Sequence, residues 1–183
     1  METKTKNLNA EFKKATKAQK RVMIAQDVLA QLKTKRYVAE SGCWVQPNIK
    51  AACEKNLKDE DSVQELFAKK KIKSCNVCAL GGLFMSCINL NNNTTVEDLK
   101  KEFYIGDFVY DDSKISNGLN RIFTQKQLIL IESYFEGSQG YFKGDNEKTL
   151  LFLESYNDDE RLEMIMQNII DNNGTFKPSK LDI

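Results

Sequence analysis

Three of the five cysteines, Cys75, Cys78 and Cys87, fall within the run SCNVCALGGLFMSC that starts at Ser74; the other two are Cys43 and Cys53. A Cys-x-x-Cys pair holds a structural zinc ion when two further ligands complete a tetrahedron. Cys75 and Cys78 are one such pair, with Cys43 and Cys53 as candidates for the missing ligands. Cys87 comes nine positions after Cys78, half a turn off its face if the run is helical. Thioredoxin-like exchange would need a strand before the pair, and the preceding AKKKIKS does not read as one. A nucleophilic Cys78 at a helix start would need a base, and the chain has no histidine.

That absence removes the Ser-His and Cys-His pairs and most catalytic zinc sites. An enzyme built on this chain would rely on carboxylates, Lys, Tyr or Cys. Asp107, Asp111 and Asp112 lack the spacing of a calcium loop, and Asp158-Asp159-Glu160 read as helix capping. Gly81-Gly82 has no phosphate-loop spacing and no following Lys-Ser or Lys-Thr. We read no catalytic residue, no bound metal and no cofactor. Glycine costs a helix about 1 kcal/mol relative to alanine, so two in a row imply a steric need. Cys78, Gly81, Gly82 and Phe84, with Trp44, are therefore expected either to form a packing centre or to wall a ligand crevice.

The elements that must position these residues read as helices. Val22, Ala25, Val28 or Leu29, and Leu32 give a helical stripe from Ala18 to about Lys33. Tyr37, Ala39 and Trp44 suggest a β-hairpin over residues 36–46, stopped by Pro47, and one or two helical turns follow over 48–56. Ser62-Val-Gln-Glu65 opens a helix that ends in Lys69-Lys70-Lys71. The stretch Cys75–Leu90 is expected as one buried helix, ended by Asn91-Asn92-Asn93. Thr95 caps a helix carrying Val96, Leu99 and Phe103, and a loop runs over 104–118. Thr124 or a neighbour opens a helix with Leu128, Ile131 and Phe135 inside, closed by Gly137. Asp145 caps a helix with Leu150, Leu151 and Leu153 inside. Asn157 or Asp158 caps the last, with Leu162, Ile165, Met166 and Ile169 inward and Asn172-Asn173-Gly174 as its stop. The expected fold class is mainly α: a single globular domain of six to seven helices over residues 18–183, preceded by a basic arm over 1–17.

The net charge of +1 hides an asymmetry. Residues 1–36 hold ten Lys or Arg against Glu2, Glu11 and Asp27, and the remaining 147 residues hold 17 Lys or Arg against 23 Asp or Glu. Lys4, Lys6, Lys13, Lys14, Lys17, Lys20 and Arg21 are the candidate interaction residues of the arm. Such a segment suits an acidic protein surface or a neighbouring copy, and it allows non-specific contact with nucleic acid. No aromatics interleave the lysines to stack bases. The sequence has no run long and apolar enough for a membrane span and no secretory signal, so an intracellular product without membrane association is expected.

CNVCALGGLF, with RVMIAQDVLAQLK and YVAESGCWV before it and FTQKQLILIESYFEG and NDDERLEMIMQNIIDNNGTFKP after it, resembles uncharacterised phage and bacterial proteins built around a Cys-Ala-Leu-Gly-Ala-Leu type motif. The likeness spans roughly residues 18–178 and departs at Gly82, where a small residue such as Ala is usual. It implies phage origin and carries no catalytic residue over. Two readings follow. One is a non-catalytic structural or interaction protein, a component or packaged cargo of an assembly such as a virion, touching copies of itself or other assembly proteins through the arm. The other is an intracellular accessory protein that binds a small ligand or a host defence protein beside Gly81 and Gly82.

Overall fold

A computed structural model of the chain describes residues 2–49, 58, 62, 65–66, 71–91, 119–137 and 146–181. Helix α1 covers Glu2–Lys14 and α2 covers Lys17–Lys33. Thr16 separates them. Its hydroxyl accepts from the Gln19 N–H, and the Gln19 side-chain oxygen accepts in turn from the Thr16 N–H, a capping box that satisfies two otherwise orphaned donors. The segment read as an arm is thus a helix in its own right. Phe12 on its inner face is only 3% exposed, and α1 packs on the central helix described below.

Strands β1 (Tyr37–Ala39), β2 (Val45–Ile49) and β3 (Ile72–Val77) form a sheet of order β1-β3-β2. This corrects the hairpin expected over residues 36–46. Both extended pieces exist, but they do not pair with each other. β3 lies between them, parallel to β1 through Tyr37–Cys75 and Ala39–Val77, and antiparallel to β2 through Val45–Val77 and Ile49–Ile72. Pro47 sits inside β2 rather than ending it, on an edge strand of the described sheet, where a missing N–H is tolerated.

The helix expected over Cys75–Leu90 is correspondingly shorter. Ile72, Cys75 and Val77 are buried while Lys73 faces out, so the first part of the run is a strand, and helix α3 spans only Ala79–Asn91. Every residue from Ala79 to Ile88 is buried. Leu80, Leu83, Phe84, Met85, Ile88 and Leu90 each contribute about 1.5–3 kcal/mol by leaving water. Around α3 lie α1, α2 and α4 (Gln125–Glu136). Helix α5 (Asn146–Ser155) rests on α4, and α6 (Asp158–Asp171) packs on α2, α4 and β1.

The expected caps are present at Thr124, whose hydroxyl accepts from the Gln127 N–H, at Gly137 in the left-handed region, and at Asn157, which forms a capping box with Glu160. Helix α5 departs from expectation in its facing. Leu150 and Leu151 are 39% and 50% exposed, whereas Phe152 is fully buried, because its ring packs against Tyr134 and Tyr156 at centroid distances of 6.1 and 5.5 Å. A short 3-10 turn, Pro178–Lys180, follows α6. The result is a mainly α chain with a small three-stranded sheet, and no helix among the described residues is long and apolar enough to cross a membrane. The helical turns expected over 48–56 do not begin there, since Asn48 and Ile49 continue β2 in pairing with Ser74 and Ile72; the rest of that stretch, the helix opened by Thr95, the loop over 104–118 and the Asp145 cap lie outside the described residues. So does most of the helix opened by Ser62, where the Glu65 and Leu66 N–H groups do bond back to Ser62.

Candidate functional site

Cys75 and Cys78 sit at the end of β3 and the start of α3, so the pair does have a strand before it and a helix after it, contrary to the sequence reading. The setting is chemically quiet. Cys75 and Cys78 are buried, and burial pushes both thiols up to about 12. For Cys78 the nearby Glu136 and Glu132 charges add to that rise, while the Gly81 N–H, 3.4 Å from its sulfur, opposes it. Cys87 is pushed up to about 11 by burial as well. At neutral pH and without a bound ion these are thiols rather than thiolates, and a thiol is a weak nucleophile. Cys43 is half-buried at the sheet margin, its sulfur 3.8 Å from the Asn76 carbonyl, and Cys53 lies outside the described residues. Among the described residues no group of three or more Cys, Asp or Glu is gathered to hold a metal ion.

The two glycines differ. A Cβ on Gly81 would stand 1.7 Å from the Trp44 carbonyl oxygen, whereas one on Gly82 would meet Val77, Val28 and Leu162 at ordinary contact distances of 3.6–3.9 Å. Gly81 therefore exists to let the 43–44 backbone onto α3. The Cys78 N–H donates to the Cys43 carbonyl at 2.6 Å, and the Trp44 ring lies 5.5 Å from Phe84. Among the described residues, the space beside Gly81 and Gly82 is occupied by Trp44, Val45, Val77, Val28 and Leu162.

Carboxylates hold the loop that follows β1. The Ala39 N–H donates to Asp159, the Ser41 N–H to Asp158 and the Gly42 N–H to Glu136, at 3.0, 2.6 and 2.7 Å. Only Glu160 of the α6 acids acts as a helix cap; Asp158 and Asp159 reach across to this loop instead, which revises the capping assigned to all three. Burial raises the Asp159 carboxyl, but the bonds from Lys35 and the Ala39 N–H, with the Lys35 charge, outweigh it and leave the carboxyl below its usual range. Glu136 is raised, chiefly by burial and in part against the Gly42 bond. These acids are occupied in fixing a loop.

A second polar cluster joins α2 to α3. Asp27 accepts from Gln31 at 3.0 Å and from Asn89 at 3.1 and 3.2 Å, and the Ser86 hydroxyl lies 3.4 Å from the Tyr37 hydroxyl. Burial raises Asp27 above the usual carboxylate range against the hydrogen bonds from Ser86, Gln31 and Asn89. Nothing in the sequence pattern marked this cluster, because Asp27 falls among the polar positions of an amphipathic helix.

The surface of the first two helices is different. Among the seven basic residues singled out there, Arg21 faces inward, donating to the Gly174 and Ile122 carbonyls, with its guanidinium 6.0 Å from the Phe123 ring centre. Lys20 lies over the Phe12 ring at 5.5 Å. Lys13, Lys14 and Lys17 are exposed, and nothing is described of the Lys4 and Lys6 side chains. Beside the exposed lysines an open groove of ≈ 590 Å³ runs between the α1–α2 elbow and the turn after α6. Its lining includes Lys14, Ala15, Ala18, Val22, Met23 and Asn173. It is the one feature described above that combines accessible apolar floor with exposed charge. No protein-family model, no curated protein and no solved structure matches this chain.

Proposed function

We propose that the chain is a non-catalytic, phage-encoded structural or interaction protein that works within a larger assembly, such as a virion of which it is a component or cargo. It meets neighbouring proteins, its own copies included, through the first two helices. The observation that carries this reading is the separation of charge: Lys13, Lys14 and Lys17 stand exposed on a docked helical elbow, while residues 37–183 are net acidic. Opposite surface charge steers such contacts and makes them sensitive to salt. The accessory-protein reading loses its main support, since the space beside Gly81 and Gly82 is filled. The lysines also permit non-specific contact with nucleic acid, which the acidic remainder of the surface opposes.

The test is light scattering coupled to size-exclusion chromatography on the full chain and on the triple variant Lys13→Glu, Lys14→Glu, Lys17→Glu, each at low and high salt. The expected result is a defined assembly of the wild type that high salt and the triple variant both dissolve. A wild-type chain that is monomeric at every salt and concentration would overturn self-assembly.

A further inference from the structure

Helix α5 carries a stripe that its own fold leaves open. Glu147, Leu150, Leu151 and Glu154 recur at i, i+3, i+4 and i+7 and so share one helical face, and all four are exposed. The inward side of the helix is occupied by Phe152 against Tyr134. Two adjacent leucines held out into water between two glutamates form the pattern of a helix that lays an apolar seam into a groove.

The α1–α2 groove has the complementary character. Ala15 and Ala18 keep its floor low, Val22 and Met23 make it apolar, and Lys14 and Glu11 both line it; with Lys13 and Lys17 exposed nearby, the lysines outnumber that one acid. Leu8, 41% exposed, lies one turn before Glu11 on α1. The groove's end wall is fixed by the fold: the Gly174 backbone comes so close to the Ala18 carbonyl that a Cβ there would stand 2.5 Å from it. Arg21 ties the same turn to α2. The groove is thus pre-formed, which lowers the ordering cost of an incoming helix.

We infer that the groove receives the α5 stripe of a second copy of this chain, with Leu150 and Leu151 on the apolar floor and Glu147 and Glu154 facing the lysines. This rests on the assembly reading above and names its contact. Among the described residues both surfaces stand exposed, with α5 resting on α4 and α1 on α3, so the pairing is between molecules. The two patches are different, so the contact is heterologous: each copy that donates a stripe still offers its own groove, and the arrangement grows into a ring or a filament.

The experiment uses two full-length variants. Leu150→Asp with Leu151→Asp removes the stripe and keeps the groove; Lys14→Glu with Ala15→Glu spoils the groove and keeps the stripe. In sedimentation velocity at low salt, each alone is expected to associate at least tenfold more weakly than wild type, and an equimolar mixture to form a 1:1 heterodimer that neither forms alone. A charge swap guards against misfolding: Glu147→Lys with Glu154→Lys weakens assembly, and mixing with Lys14→Glu, Lys17→Glu restores it. A wild type that assembles in a salt-sensitive way while the stripe variant assembles equally well overturns this contact and leaves the assembly reading intact. A mixture that stays monomeric overturns the contact too, and a wild type that never assembles overturns both.

Discussion

The β3–α3 segment and the α1–α2 elbow make opposite use of their residues. The first holds three cysteines and two glycines, the residue types most suggestive of chemistry, and places nearly all of them in the core, with Cys75 and Cys78 as un-ionised thiols and Gly81 pressed on the Trp44 carbonyl. The second is built from lysines, alanines and glutamines, and leaves exposed charge beside an open groove. The difference teaches that reactivity depends on the dielectric and access around a side chain more than on its type. A buried thiol loses its thiolate to desolvation, while an exposed lysine keeps its charge and can meet a partner.

The sharpest way to break this contrast is thiol labelling. With Cys78 pushed up to about 12 by burial and closed to solvent, its alkylation at pH 8 is expected to be at least about tenfold slower than that of half-exposed Cys43, whose thiol is itself raised by partial burial and by the Glu40 and Glu136 charges. Peptide mapping by mass spectrometry reads the order, and equal rates would mean that the β3–α3 junction opens.

The next largest effect belongs to Gly81→Ala. Its Cβ would meet backbone that is itself tied to α3 by the Cys78 N–H, so the roughly 1 kcal/mol gained in helix propensity cannot offset the clash. A net loss of about 3 kcal/mol or more is expected in urea unfolding. Gly82→Ala, one residue on, meets only ordinary contacts and should lie between neutral and about 1 kcal/mol more stable. Similar losses at both sites would show that the packing differs from that described.

The smaller contrast lies within the elbow. Arg21→Ala removes donors to two backbone carbonyls, Gly174 and Ile122, and should cost about 2 kcal/mol. Alanine at Lys13, Lys14 or Lys17 should stay within about 0.5 kcal/mol of wild type. A comparable loss at any of the three lysines would make it structural and weaken its assignment to a partner surface.

Much of the helical fold could be read directly, because caps and apolar stripes are local signals. Thr124 and Gly137 stand where the pattern predicts them, and of the two caps it offers for α6, Asn157 is the one used, while Leu162, Ile165, Met166 and Ile169 line one inward face. The sheet was less legible. A short strand with both an apolar and a polar neighbour, such as Ile72–Val77, is indistinguishable by period from the start of a buried helix, and its pairing with β1 and β2 is a long-range event. The candidate site was half visible: seven basic residues stood out, but only burial separates Arg21, turned inward, from exposed Lys17.

By itself, then, the sequence determined the helical class, an apolar centre within Cys75–Leu90, the lack of histidine chemistry and the basic first segment, all of which follow from composition and local periodicity. Only the tertiary structure decided that β3 comes between β1 and β2, that Asp158 and Asp159 grip a loop, and that Phe152 rather than Leu150 and Leu151 enters the core. The reason is physical: a helix's own pattern limits which face can be buried, but where two faces are nearly equal in hydrophobicity, the neighbour with the better-fitting surface chooses between them.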